Sequence, residues 1–242
     1  MAYIELKSNG DIAPCLSVVI PVYNEGTTVG RVIGTVLAQR PVQEVVVVDD
    51  ASHDQTWEVL QGLARAEPRL KLFRHERNQG KGAAIRTGFP LTSGPIVIVQ
   101  DADLEYDPAE YYLLLGPILS DKADVVFGSR FIGSSAHRVL YFWHSVGNKF
   151  LTTLSNMASN LNLTDMEAGY KVFRRDVLLR ITIEESRFGF EPEITAKVSK
   201  LKARIYEVPI SYFGRTYEEG KKVNWKDGFS AMRCVFKYNF FR

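Results

Sequence analysis

Apolar residues fall along this chain in two alternating rhythms. Four short runs are nearly continuous: "LSVVIPVYN" (16–24), "EVVVVDD" (44–50), "RLKLFRH" (69–75) and "PIVIVQDAD" (95–103). The first, second and fourth are dense in Val and Ile, as in strands covered on both faces of a parallel sheet. Between them the period changes. Val29, Val32, Ile33, Val36 and Leu37 recur at helical steps, so one face of a helix is apolar there. Trp57, Leu60 and Leu63 repeat at three-residue steps behind Asp54, a candidate N-cap. "GKGAAIRTGF" gives a small-residue helix, Pro108 opens another behind Asp107, and "DVVFGSRF" reads as a fifth strand. The alternation predicts an α/β fold, a doubly wound and mostly parallel sheet flanked by helices over residues 15–132.

The second half is less regular. "HRVLYFWHSVGNKFLTTLSNMASNLN" (137–162) predicts a long aromatic helix, and "ARIYEVPISYFGR" (203–215) a late strand. The last stretch, 225–242, sets Trp225, Phe229, Met232, Val235, Phe236 and Phe240 near helical spacing among Lys226, Arg233, Lys237 and Arg242. No repeat, low-complexity tract or linker divides the 242 residues, so a single domain over 1–242 is expected. No apolar run reaches the ~18 residues of a membrane span. The opening "MAYIELKSNGDIAP" lacks the core of a signal peptide. A cytoplasmic chain is expected, with Cys15 and Cys234 as reduced thiols and no role for the sequon at Asn162. A formal charge of +2 is too small to argue for nucleic-acid binding.

The candidate chemistry lies at the strands' carboxyl ends, where sheets of this kind bind ligands. "PVYNE", "DDASHD", "QDADLE" and "GSR" follow runs one, two, four and five. Asp101 and Asp103, two residues apart, would face one way in extended chain, and Glu105 would join them if the extension continued. Mg²⁺ or Mn²⁺ takes one or two carboxylates and completes its shell with water and phosphate; a solvated acidic loop is the alternative. Asp50, closing a strand of four valines, could accept from a nucleobase N–H; a receiver-type phosphoacceptor is another use of an Asp pair. "NQGKGAAIRTG" (78–88) combines Gly80, Gly82 and Gly88 with Lys81 and Arg86, a setting for close approach of phosphate or a plain helix start.

Together, "VVIPVYNE", "VVVVDDASHDQT", "NQGKGAAIRTG" and "VQDADLEYDP" resemble the family-2 glycosyltransferases of GT-A fold. "DMEAGYKVFRRDVL", "RFGFEPEI" and "EVPISYFGRTYEEGKK" narrow the likeness to the polyprenyl-phosphate branch, the dolichyl-phosphate mannose and glucose synthases. The resemblance implies a nucleotide-sugar-binding half over 15–132 and an acceptor-binding half over 133–242. Pro21, Tyr23, Glu25, Val48 and Asp50 would frame the nucleotide, with Lys81 and Ala102 beside it. Asp101 and Asp103 would hold the metal; Glu105 stands where mannose synthases often carry a glutamine. Arg130, Arg138, Arg215 and Lys221 match cations around the donor and acceptor phosphates, and Glu191 and Glu193 an acidic segment near the sugar. Duller readings stay open for Arg138, as a surface ion pair, and for Glu193, at a helix N-terminus.

The implied reaction is inverting transfer of a sugar from a GDP- or UDP-linked donor to a polyprenyl phosphate. A phosphate acceptor needs no base; a saccharide hydroxyl would, with Glu191 or Glu193 available. The other function classes are a nucleotidyltransferase, whose early Gly-rich phosphate loop "PVYNEGTTVGR" does not supply, and a non-catalytic nucleotide-sugar-binding module. The aromatic helices could lie in the membrane surface or fill a core.

Overall fold

The computed structural model describes residues 12–133, 138–139, 141–214 and 225–242. Seven strands form one sheet: β1 (Leu16–Val22), β2 (Val42–Asp49), β3 (Leu70–Arg74), β4 (Ile96–Val99), β5 (Val125–Ser129), β6 (Lys171–Arg174) and β7 (Ile205–Pro209). Their order is β3-β2-β1-β4-β6-β5-β7. The chain steps outward from β1 to β3, then returns to β4 on the other side of β1. That reversal is a topological switch point, and it opens a crevice at the carboxyl ends of β1 and β4.

Strands β1 to β4 and the β5–β7 pair are parallel, whereas β6 runs antiparallel between β4 and β5. The sequence reading does not contain β6. "KVFR" is four residues long, too short for period two to show. Its insertion also means that the sheet does not part near residue 132.

Alternate side chains of the central strands feed two cores. Val18, Ile20, Val45 and Val47 face α1 (Val29–Leu37), α2 (Thr56–Ala66) and α4 (Tyr111–Leu119). Val19, Val46, Val97 and Val99 face α3 (Lys81–Gly88), the short α6 (Arg175–Leu178) and α7 (Phe190–Lys200). Both faces are therefore dry, which explains the unbroken Val/Ile runs. Outside α7 lie α5 (Phe142–Ser159) and α8 (Trp225–Phe236), the latter ending in a π-helical turn at Lys237–Phe241. Asn160, at φ +54°, caps α5, which ends at Ser159, three residues before the expected end. Among the described residues no helix is long and apolar enough to cross a membrane.

Candidate active site

Asn24, Ala51 and Leu104 all take left-handed φ, between 52° and 63°, and they follow β1, β2 and β4. Non-glycine residues seldom adopt that conformation, and it gathers where chain is bent for a purpose. The sharp turns bring the three loops together on one rim.

On the β1–β2 side, Pro21 pairs in register with Val48, and the Val48 side chain is wholly buried in the core, so only its backbone faces the rim. Tyr23 sets its ring edge-on to His53. Glu25 is buried; its Oε2 accepts from Thr28 Oγ1 at 2.8 Å, and the same hydroxyl lies 2.9 Å from the Ala102 carbonyl. Thr28 thereby ties the loop after β1 to the loop after β4. Asp54 Oδ1 accepts from Thr56 N at 3.0 Å, but Asp54 stands one residue before the N-cap of α2, which is Gln55 and makes no side-chain cap, so the expected capping position is off by one.

Asp50, expected to meet the nucleotide, is buried and already has partners. Its Oδ1 contacts His75 Nδ1 at 2.7 Å and accepts from Gln79 N at 2.9 Å, and its Oδ2 accepts from Gly80 N at 2.6 Å. The carboxylate organises the turn that launches α3. Beside it Arg74 pairs with Asp49 at 3.0 Å and lies over the Trp57 ring. An open depression of about 480 Å³ is lined by Ala51, Ser52, His53, Arg74, His75 and Glu76.

After β4 the chain does not stay extended, and the single row of three carboxylates expected from the sequence is absent. Leu104, in the left-handed region, turns the backbone. Glu105 Oε2 accepts from Tyr212 OH at 2.8 Å, while its own N–H donates to Asp103 Oδ1 at 3.3 Å. Two-residue alternation holds only for a strand, so Glu105 is drawn to Tyr212. Asp101 Oδ1 is held by Lys81 Nζ at 2.9 Å, and the same ammonium reaches Glu191 Oε1 at 2.9 Å. Among the described residues no three His, Cys, Asp or Glu side chains converge as metal ligands. Gln100 serves the core: its Oε1 accepts from Tyr111 OH and Tyr170 OH, both at 2.7 Å.

Glu193 is not placed to take a proton from a substrate. It is fully buried; Oε1 accepts from Glu184 N at 2.6 Å and Lys197 Nζ at 2.6 Å, and Oε2 from Glu185 N at 2.8 Å. It anchors the loop before α7. Arg130, after β5, makes a two-pronged contact with buried Asp165 at 2.7 and 2.8 Å and lies over the Tyr212 ring. Arg138 Nη1 donates to the Gly214 carbonyl at 2.7 Å. Arg215 and Lys221 lie outside the described residues.

The sequence reading also passed over Glu167 and Lys171, inside a segment it had quoted only for its likeness. Lys171 is fully buried and donates to the Met166 and Ala168 carbonyls. Burial pulls its pKa down, while burial and the charge of Glu191 push the Glu167 carboxyl up. The available signal was a second carboxylate step, Asp165 and Glu167, followed by a lysine that opens a short strand.

A doubly wound sheet with carboxylates and a lysine gathered beyond its switch point is the framework of a GT-A glycosyltransferase. A model of glycosyl transferase family 2 matches residues 17–182, and the chain belongs to that family. It is 32% identical over 215 residues to an undecaprenyl-phosphate mannosyltransferase of Micrococcus luteus, spanning 84% of this chain and 85% of that one. It is 31% identical over 205 residues to a polyprenol monophosphomannose synthase of Mycolicibacterium smegmatis, spanning 82% and 77% respectively. The fold is similar to that of a glucosyl-3-phosphoglycerate synthase of Mycobacterium tuberculosis, crystallised with Mn²⁺, UDP and phosphoglyceric acid. That likeness has a TM-score of 0.72 at 20% identity, over 95% of this chain and 80% of the other.

Proposed function

We propose that this glycosyltransferase moves one sugar, with inversion, from a GDP- or UDP-linked donor to a polyprenyl phosphate, and that it needs Mg²⁺ or Mn²⁺. The observation that carries the reading is the Asp101–Lys81–Glu191 bridge at the switch point. It gathers groups that can meet a sugar diphosphate from three separate crossings of the sheet, after β3, β4 and β6. The oxygen donors fit a hard divalent ion, since two carboxylates on one turn leave positions for water and phosphate oxygens. When bound, the ion would supply charge neutralisation for the departing diphosphate. Lys81, already seated on Asp101, would turn toward the donor phosphates, and Arg130 would stand by as a fixed cation.

A phosphate acceptor agrees with the carboxylates that remain. It arrives ionised and needs no base, and Glu193 is committed to the loop while Glu191 is paired with Lys81. The relatives' polyprenyl-phosphate acceptors support the same reading. So do the outer helices, which leave Trp143, Phe150 and Met157 on α5 and Phe236, Phe240 and Phe241 at the C-terminus exposed. Such a face suits the cytoplasmic surface of a membrane.

Purified protein, a short polyprenyl phosphate and a panel of GDP- and UDP-linked sugars test this directly. Transfer should occur with Mn²⁺ or Mg²⁺ and stop on addition of EDTA. Glycosylation of a saccharide hydroxyl, with the polyprenyl phosphate untouched, would establish the other acceptor class. Binding of a donor with no transfer to any acceptor would instead indicate a binding module.

A further inference from the structure

The segment 164–171 is tied down at almost every polar atom. Asp165 holds the Arg130 fork, and Asn148 Nδ2 donates to it at 3.2 Å. The amides of Thr164 and Asp165 donate to Glu207 at 2.9 and 3.2 Å. Met166 N donates to Thr152 Oγ1, and Gly169 N to Tyr106 OH. The Lys171 ammonium grips the carbonyls of Met166 and Ala168, immediately before and after Glu167. One group in the run is different. Glu167 Oε1 is enclosed and has no hydrogen-bond partner.

That carboxyl shares its surroundings with the Lys81 bridge through Glu191. Glu167 interacts electrostatically with Glu191, Lys171, Arg130 and Asp165, in that order after burial itself. Two residues on, Gly169 lies so near the turn after β4 that an added Cβ would come 2.5 Å from Asp101 Oδ2. A buried acceptor without a donor is destabilising. A segment braced by so many contacts cannot relax to relieve it. Such a group is accounted for when a ligand supplies the missing donor.

We propose that Glu167 recognises the transferred sugar, its Oε1 accepting a hydroxyl of the hexose held between Asp101, Glu191 and Arg130. This deepens the reading of the chain as a nucleotide-sugar enzyme and rests on it. The diphosphate and metal would engage the Asp101–Asp103 turn, whereas Glu167 is on a separate segment, the one that leads into β6. Its partner is therefore the part of the donor that a free nucleoside diphosphate lacks. A carboxyl held up by burial also suits this use, because it can accept from one hydroxyl and, when protonated, donate to another.

Calorimetric titration of the full chain with Mn²⁺ separates sugar from nucleotide. GDP, UDP, GDP-mannose and UDP-glucose are titrated into the native chain, Glu167→Gln and Glu167→Ala, with Tm recorded for each. Expected is an unchanged affinity for the nucleoside diphosphate and a loss of about tenfold to a hundredfold for its sugar-linked form in Glu167→Ala. Glu167→Gln, which keeps the shape and one acceptor oxygen, should recover part of that loss and serves alone if the alanine variant melts early. Equal weakening of both ligands would overturn the proposal and mark Glu167 as structural. Unchanged affinity with a fall in kcat and a shifted pH profile would overturn it too, because that is the signature of a base. If the native chain binds none of the four, the nucleotide-sugar reading falls first and this inference with it. If it binds a donor and the variants bind it equally well, only the inference fails.

Discussion

Glu44 and Glu167 are carboxylates in opposite circumstances. Glu44, on β2 and 4% exposed, accepts from Ser17 Oγ at 2.6 Å and Ser93 Oγ at 2.9 Å and pairs with Lys71 at 2.5 Å. Burial alone would raise its pKa. The donors Lys71, Ser17 and Ser93 outweigh burial and bring it from 4.5 to about 2. Because the folded value is depressed, the associated stability is present above pH 4.5 and is lost as pH falls toward 2. Replacing Glu44 by Gln should cost roughly 2–3 kcal/mol at pH 7 and flatten the stability curve across that acid window. Urea unfolding at a series of pH values measures both; an unchanged acid slope would contradict the assignment. Glu167 lacks such donors, and the difference between the two is one of supply. Neither side chain betrays this in the sequence, because the donors that Glu44 has, Ser17, Lys71 and Ser93, come from remote parts of the chain.

The elements behave the same way. Gly80, at φ +99°, and Gly82 open α3 against the loop 184–187, whose Ser186 carbonyl accepts from Ala83 N at 3.1 Å. A Cβ on Gly82 would come 2.2 Å from the Glu185 carbonyl, which is backbone and cannot swing away. Gly62, inside α2, has nothing within 4 Å of its would-be Cβ. The same substitution should therefore have opposite signs. Gly82→Ala is expected to destabilise by about 1–3 kcal/mol through overpacking, and Gly62→Ala to stabilise by about 0.5–1 kcal/mol through helix propensity. Thermal melts of the two variants check this pair. The glycines of "NQGKGAAIRTG" were visible in the sequence as permission for something to come close. That the nearest approach is by the protein's own loop was not. The carboxylate row failed similarly: Asp101, Asp103 and Glu105 share a side only in extended chain, and the turn at Leu104 breaks the period. Strands β1, β2 and β4 were legible because burial on both faces leaves mostly Val and Ile. The antiparallel β6 left no such mark in four residues.

At the scale of the whole molecule the open question is what the outer layer faces. Helix α5 leaves Trp143 77% and Phe150 59% exposed, and at the C-terminus Phe241 is 80% exposed. Residues 143, 146, 150 and 157 recur on one stripe of α5, which α7 and α8 do not cover. If that stripe is the membrane contact, Trp143→Ser with Phe150→Ser should lower sedimentation with anionic polyprenyl-containing vesicles about tenfold or more. The estimate assumes about 1.5–3 kcal/mol per buried large apolar side chain. Nucleotide binding should be unchanged, because both side chains point out of the protein rather than into the site. Equal sedimentation of variant and native chain would assign the stripe to a different contact.

The sequence by itself determined the parts that depend on neighbours along the chain: strands from unbroken apolar runs, helices from three- and four-residue steps, and polar clusters closing the strands. Pooled as motifs, those clusters also pointed to the family. The tertiary structure alone decided what each polar group is free to do. Asp50 and Glu193 became anchors, Lys81 joined Asp101 to Glu191, and Glu167 was left with an unanswered oxygen. The physical reason is that hydrogen-bond satisfaction and burial are set by residues tens of positions away, while periodicity is set by the next turn or pleat.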